Sequence, residues 1–345
     1  MIAEIATISI TAKCNFSCMH CFNKEVRDNI YTHMAIDKYI NIVDHLESMS
    51  VLKLLLTGGE PMLHPQFPLL WEYAYKKGLK CEINTNLSLF NDEILATFKR
   101  YPPYMISVSL YGFSDSVYSS FTQSSSKFEV VKENLQKIVN NLDSRLNIKF
   151  IYTRQTKDDL SVAYEYYKNN FSTHNFDVIA TIQPTILNDN EEKIDNCRVS
   201  VEDNINATWS IPEARNSILV KYLNPTNVPK RHAFPCGTIY RGLFVNPLGQ
   251  ISTCEKACAS INIELEGSTI QKEFERKLFP WVNNINNNFF YESHCDTCEA
   301  SDLCGNCYFT SKCVGNKLVY DPYICQVAKG LFKKCQQEMK SRPER

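Results

Sequence analysis

The chain has 345 residues, a formal net charge of -1 from 37 Lys+Arg against 38 Asp+Glu, and 15 cysteines. That length accommodates two buried cores, and so even a charge balance leaves no footprint for a polyanion, which excludes nucleic acid as an expected partner. No apolar run reaches membrane-spanning length, since even Val51 to Leu56 is interrupted by Lys53, so no membrane is expected as a partner either.

In chain order, residues 5–10 read as an apolar strand leading into Cys14-Asn-Phe-Ser-Cys18-Met-His-Cys21-Phe22. Three thiols on one short loop suit a zinc ion, or three corners of an iron-sulfur cubane whose fourth iron stays open. The stripe Ile36, Tyr39, Ile40, Val43, Leu46 predicts a helix over 36–49, and 52–56 a buried strand. Helices over 67–77, 91–100, 128–142 and 160–170 then alternate with strands over 80–84, 105–110, 147–152 and 178–183. Strands separated by helices pair in parallel, and six of them predict an open, TIM-like (β/α)6 partial barrel.

Sites in such folds lie where loops leave the carboxyl ends of strands. Four groups fall there. Thr57-Gly-Gly-Glu-Pro61 follows the second strand, with glycines that permit close backbone approach and a carboxylate suited to an ammonium group. Asn84 ends the third strand, Ser109 lies near the end of the fourth, and Arg154 follows the fifth. Each also has a plain reading as a turn, a strand-end polar group or an exposed arginine.

From 188 to 235 periodicity fades and Asn, Asp, Glu and Pro accumulate, which predicts a linker with one short helix. Beyond it Cys236, Cys254, Cys258, Cys295, Cys298, Cys304, Cys307, Cys313 and Cys325 crowd together, with a hairpin predicted over 242–253. The expected organisation is a barrel over 1–187, the linker, a small cysteine-rich α+β domain over 236–330, and a frayed tail over 331–345. Grouped CxxC-like cysteines argue for ligation rather than disulfides, by zinc pairs or by iron-sulfur clusters. Reduced thiols and an N-terminus without a signal pattern predict a cytoplasmic protein. Cys81, Cys197 and Cys335 have no partner in spacing and are expected to be buried thiols.

The spacing CxxxCxxC, matched by Cys14, Cys18 and Cys21 with Phe22 after it, resembles the radical S-adenosylmethionine superfamily. The resemblance implies a 4Fe-4S cluster whose open iron chelates S-adenosylmethionine, reductive cleavage of the cofactor, and hydrogen abstraction by a 5'-deoxyadenosyl radical. It implies that Gly58, Gly59 and Glu60 bind the methionine amino group and that Asn84 and Ser109 lie near the cofactor. Ser120 stands where relatives carry an arginine for the methionine carboxylate, and Arg154 is the candidate substitute.

The order of cysteines from 236 to 325 resembles the SPASM extension, which holds two auxiliary 4Fe-4S clusters in enzymes acting on peptides. Three clusters are then expected in all. Carried over, Cys295, Cys298, Cys304 and Cys325 close one auxiliary cluster, and Cys236, Cys254 and Cys307 belong to the other, with Cys258 favoured over His232 as its fourth ligand. The spacing of Cys304 and Cys307 is one residue short of the usual pattern.

The resemblance thus implies maturation of a ribosomally made peptide by crosslink, thioether or epimerisation. With the first cysteine so near the start, capture of the peptide is expected to use the linker, the second domain or a leader-recognition partner protein. The reductant is expected to be a flavodoxin- or ferredoxin-type protein. Cys313 or Cys258 is a candidate hydrogen donor for epimerisation. A rival reading is a sulfatase formylglycine maturase, in which Glu255 after Cys254 would act as base where those enzymes have aspartate. A rival of another class is a non-catalytic iron-sulfur scaffold or electron carrier, which would need neither GGEP nor the strand-end polar set.

Overall fold

The computed structural model describes residues 4–21, 24–125, 127–182, 191–225, 234, 242–257, 269–289, 295 and 297–341. Strand β1 (Ile5–Ser9) has a parallel neighbour on each side, β2 (Lys53–Thr57) and β7 (Gly242–Val245). On the β2 side the sheet continues in parallel through β3 (Lys80–Thr85), β4 (Met105–Leu110), β5 (Arg145–Ile151) and β6 (Asn175–Ile179). On the other side β8 (Ile251–Ser252) runs antiparallel to β7 and ends the eight-stranded sheet. The first six strands alternate with helices as the partial TIM-like barrel expected from the sequence.

The helices in order are α1 (Lys24–Ile30), α2 (Ile36–Ser48), α3 (Phe67–Lys76), α4 (Asp92–Arg100), α5 (Asp115–Thr122), α6 (Phe128–Asn141) and α7 (Leu160–Phe171). Asn91 and Ser114 start α4 and α5 by accepting from the N–H groups of Ile94 and Val117. Strand alternation decides what the helices cover. Leu54, Leu56, Ile83, Ile106, Val108, Ile148 and Phe150 are at most 2% exposed and form the core side. Phe176 stacks on Phe150 and meets Tyr164 and Tyr167 of α7, while Trp71 packs between Phe67 and Phe98. Each such ring stabilises the fold by roughly 1.5–3 kcal/mol of apolar burial.

The opposite face of the same strands is polar. In register, Asn84, Ser107, Asn147 and Asn175 form one row, and Ser109, Lys149 and Asp177 the next. Side chains there bond across strands: Asn175 Nδ2 to Asn147 Oδ1 at 3.1 Å, Asn147 Nδ2 to Asp177 Oδ2 at 3.1 Å, and Lys149 Nζ to Asn84 Oδ1 at 3.2 Å. This is the barrel interior.

Four expectations need correction. The sixth strand begins at Asn175, three residues before the expected 178, because Phe176 belongs to the core beside Phe150. The region read as a linker folds as α8 (Glu191–Cys197), α9 (Val201–Ser210) and α10 (Pro212–Leu223). The hairpin expected to open a separate domain hydrogen-bonds to β1, so the sheet crosses that boundary. The expected frayed tail is the second half of α13 (Pro322–Ser341), where Leu331 and Cys335 are buried.

Helix α13 packs on α9 and α10. Arg198, just past α8, ion-pairs with Asp321 and stacks 4.6 Å from the Tyr323 ring, which ties the chain end to the barrel side. Between these parts lie α11 (Ile270–Glu273), a π turn, and α12 (Phe279–Asn288), then the small sheet of β9 (Lys312–Val314) and β10 (Lys317–Val319).

A Cβ on Gly330 of α13 would stand 2.1 Å from Cδ1 and 3.1 Å from Cγ1 of Ile205 on α9. Replacing a glycine inside a helix ordinarily stabilises it, by up to ~1 kcal/mol. Here Gly330→Val is expected to lower stability by about 1–3 kcal/mol through overpacking, read as a reduced melting temperature.

Candidate active site

The loop from Thr11 to Cys21 leaves β1 at the carboxyl edge, where the Ala12 N–H donates to the Thr32 carbonyl at 2.8 Å, and is braced at three further places. Backbone N–H groups of Gly59 and Glu60 donate to the carbonyls of Thr11 and Lys13, both at 2.9 Å. The N–H groups of Ser17 and Met19 donate to Thr122 and Phe121 at the end of α5, at 2.9 and 3.1 Å. Asn15 bridges to the tip beyond β3, accepting from Asn86 Nδ2 at 3.0 Å and donating to Ser88 Oγ at 2.8 Å. Loop side chains add to this: Phe16 meets Tyr111 and Tyr118 edge-on, and His20 stacks on Phe121 at 5.2 Å. Burial pushes the His20 imidazole down to about 4, so it is neutral at pH 7.

The paired glycines are required by this docking. A Cβ on Gly58 would lie 2.4 Å from the Thr11 carbonyl oxygen, and one on Gly59 would lie 2.2 Å from that of Lys13. Gly58 also has φ +150, which side chains disfavour. Both obstacles are backbone, so neither can swing aside. Gly58 and Gly59, expected to lie against a ligand, are pressed on the cysteine loop.

Glu60 departs from its expected role in the same way. It is fully buried, and its carboxylate accepts from Thr85 Oγ1 at 2.7 Å, Met62 N at 3.2 Å and Asn86 N at 2.7 Å. These bonds brace the GGEP loop against β3 instead of presenting the charge to an ammonium group. Burial raises the carboxyl to about 7 against the pull of its three hydrogen bonds.

Cys14, Cys18 and Cys21 form no disulfide, Cys18 being buried and the others half-buried. The Phe16 N–H donates to Cys14 Sγ at 3.4 Å. Behind them the Tyr118 hydroxyl is buried without a hydrogen-bond partner, and Cys18 is close enough to raise its pKa further above the level set by burial. Three thiols on a braced loop, with an orphaned O–H donor at their back, fit an iron-sulfur cluster with three thiolate ligands. Among the described residues no three His, Cys, Asp or Glu side chains converge tightly enough for a single metal ion.

Of the other candidates, Asn84 and Ser109 do face the barrel interior, where Asn84 accepts from Lys149 and Ser109 lies within hydrogen-bonding reach of the Tyr111 hydroxyl. Arg154 is exposed, and its Nε donates to the Arg198 carbonyl, so it is drawn toward the end of α8. Cys254 follows β8, and Glu255 starts a 3-10 turn directly after it. Cys295, Cys298, Cys304, Cys307 and Cys325 are half-buried and form no disulfide. The Cys325 thiol is raised by burial first, then by Cys304 and Cys298, which places these three near one another. Cys81, Cys197 and Cys335 are buried, as expected. Phe22, Cys236, Cys258, His232 and the Cys313 side chain lie outside the described residues. Sequence reasoning missed Asn15 and Lys149, and gave Tyr118, after the fourth strand, no role of its own. Only Lys149, a cation alternating with apolar residues in β5, left a signal.

Residues 8–166 match the model of the Radical SAM superfamily. They form a radical SAM domain. The family's chemistry uses S-adenosylmethionine and a 4Fe-4S cluster, and the matched stretch includes Cys14, Cys18 and Cys21. Among curated relatives, the chain is 32% identical over 117 residues to the antilisterial bacteriocin subtilosin biosynthesis protein AlbA of Bacillus subtilis (strain 168), covering 34% of this chain and 26% of AlbA. It is 28% identical over 108 residues to Fe-coproporphyrin III synthase of Methanosarcina barkeri (strain Fusaro / DSM 804), covering 31% and 27% of the two. The chain thus spans about a quarter of the length of each. Among solved structures, native anSMEcpe with bound AdoMet and Cp18Cys peptide superposes with a TM-score of 0.71 over 97% of both chains, at 16% identity. That likeness extends the shared fold well beyond the radical SAM domain. No helix among the described residues is long and apolar enough to cross a membrane.

Because folded Glu60 holds its proton to about pH 7, while an unfolded glutamate releases it near 4.5, the folded state binds more protons between those values. Stability conferred through this group is therefore expected to fall as pH rises across that window, by up to roughly 3 kcal/mol. Glu60→Gln removes the titration, so urea midpoints of wild type and variant should diverge in slope between pH 5 and 7.5.

Proposed function

We propose that this chain is an enzyme that cleaves S-adenosylmethionine at the Cys14–Cys18–Cys21 site and uses the resulting radical to modify a ribosomally made peptide. The observation that carries the first part is the triply braced cysteine loop, with Gly58 and Gly59 pressed against it. When bound, the cluster supplies the single electron that breaks the C5'–S bond of the cofactor. The chain's own residues fix the rest: the GGE backbone and the strand ends orient the cofactor, and the polar barrel interior receives the reacting group.

Two features support a peptide as substrate. AlbA is by its name a bacteriocin biosynthesis protein, and its match covers 34% of this chain. The fold also continues, over nearly its whole length, that of a structure holding a cysteine-containing peptide. The cysteines from 254 to 325 support two auxiliary 4Fe-4S clusters, with Cys295, Cys298, Cys304 and Cys325 as one ligand set; the nearness of Cys298, Cys304 and Cys325 agrees with it. Cys236, Cys254, Cys258 and Cys307 are the proposed set of the other. Such clusters would take up the second electron that a crosslink must lose. A flavodoxin- or ferredoxin-type protein is the proposed reductant, a leader-recognition protein a proposed partner, and the cytoplasm the proposed compartment.

Anaerobic incubation with S-adenosylmethionine and dithionite is expected to release 5'-deoxyadenosine. Ala at Cys14, Cys18 and Cys21 together should abolish release while most of the iron stays bound. Persisting cleavage would refute the site assignment, and loss of nearly all iron would refute the auxiliary clusters. A mass change in a small peptide encoded beside the gene, only when both protein and cofactor are present, tests the peptide reading.

A further inference from the structure

The barrel interior contains a cation that the cleavage chemistry does not use. Lys149 sits in the middle of β5, opposite Ser109 of β4 and Asp177 of β6. Its neighbours in sequence, Ile148 and Phe150, point to the helix side and are buried there. Its Nζ reaches past β4 to donate to Asn84 Oδ1 on β3 at 3.2 Å, so the amine lies over the inner face of the sheet near the strand ends.

The surroundings leave its charge incompletely met. An ammonium group has three donors, and a neutral amide takes one of them. Among the described residues no carboxylate comes within ion-pair distance of Lys149. The nearest acids are engaged elsewhere: Asp177 accepts from Asn147, and Glu82 lies 3.4 Å from Lys53. Lys149 is half-buried with only an amide partner, and desolvation lowers its pKa against the weaker pull of Asp177 and Glu82. Hydrogen-bond donors are thus available on an otherwise polar floor, directly below the edge where the substrate must enter.

We infer that Lys149, held across the barrel floor by Asn84, is an anchor for a carboxylate of the substrate. The inference deepens the peptide reading and rests on it: the modified residue, or one beside it, carries an aspartate or glutamate side chain. A charge-assisted hydrogen bond is worth more than a neutral one, so an acid is selected over its amide. The cofactor's own carboxylate shares this chemistry, and the experiment separates the two sources.

The probes are N-acetylglutamate α-amide and the neutral N-acetylglutamine α-amide, titrated by calorimetry or ligand-observed NMR into the full-length, cluster-loaded chain with S-adenosylmethionine bound. The acid is expected to bind about tenfold more tightly than the amide. Lys149→Met should erase that preference and Lys149→Arg should keep it, with iron content and S-adenosylmethionine affinity unchanged in both. Equal binding of the two probes to the unaltered chain overturns the inference without recourse to a variant, as does a preference that survives Lys149→Met. Weakened S-adenosylmethionine binding with the probe preference intact also overturns it, assigning Lys149 to the cofactor. No turnover is needed, so a positive result alongside an absence of any peptide mass change would remove the peptide reading alone.

Discussion

The site depends on one close approach, that of the Gly58–Gly59 backbone to the carbonyls of Thr11 and Lys13. At this distance there is no room for any side chain, and the contact joins the loops leaving β1 and β2 into one unit. Glu60 extends the unit to β3 through Thr85 and Asn86, and Asn86 returns to the cysteine loop through Asn15. The thiols are therefore positioned by a closed circuit of short bonds among three adjacent strand ends. Rigid placement of this kind is what directing a reactive radical demands, since small displacements change which hydrogen is taken.

The sheet divides its two faces between stability and chemistry. Alternation puts Ile83, Ile106, Val108, Ile148 and Phe150 under the helices and leaves Asn84, Ser107, Ser109, Asn147 and Lys149 inside. A change on the first face alters packing; a change on the second alters what the barrel can hold. Tyr111 and Tyr118 stand where the two concerns meet, backing the cysteine loop with rings while the Tyr111 hydroxyl meets Ser109.

Alternating apolar periods made the first six strands and most barrel helices legible in the sequence, and the spacing of Cys14, Cys18 and Cys21 made the site so. What the sequence concealed was pairing between distant segments. Gly58, Gly59 and Glu60 were visible as special residues, but their purpose lies in contacts with Thr11, Lys13 and Asn86 that no local pattern records. Helices α9 and α10 were hidden because few of their residues are buried: in α10 only Ala214 and Leu219 are, so the apolar stripe is faint. The end of α13 looked like a basic tail because its lysines are frequent, while the buried side of the helix is made by widely spaced Leu331 and Cys335.

The position of β1 between β2 and β7 has a consequence for the order in which the protein can be made. One edge of β1 is satisfied as soon as residues 53–57 have emerged from the ribosome, but the other waits for Gly242–Val245. For nearly two hundred residues of synthesis the strand that launches the cysteine loop would have an open edge, ready to pair with any passing strand. Such a long-range closure slows folding, and the nascent half-barrel is a natural client for a chaperone. Until β7 arrives, iron delivered to the loop would meet a scaffold with its first strand only half secured.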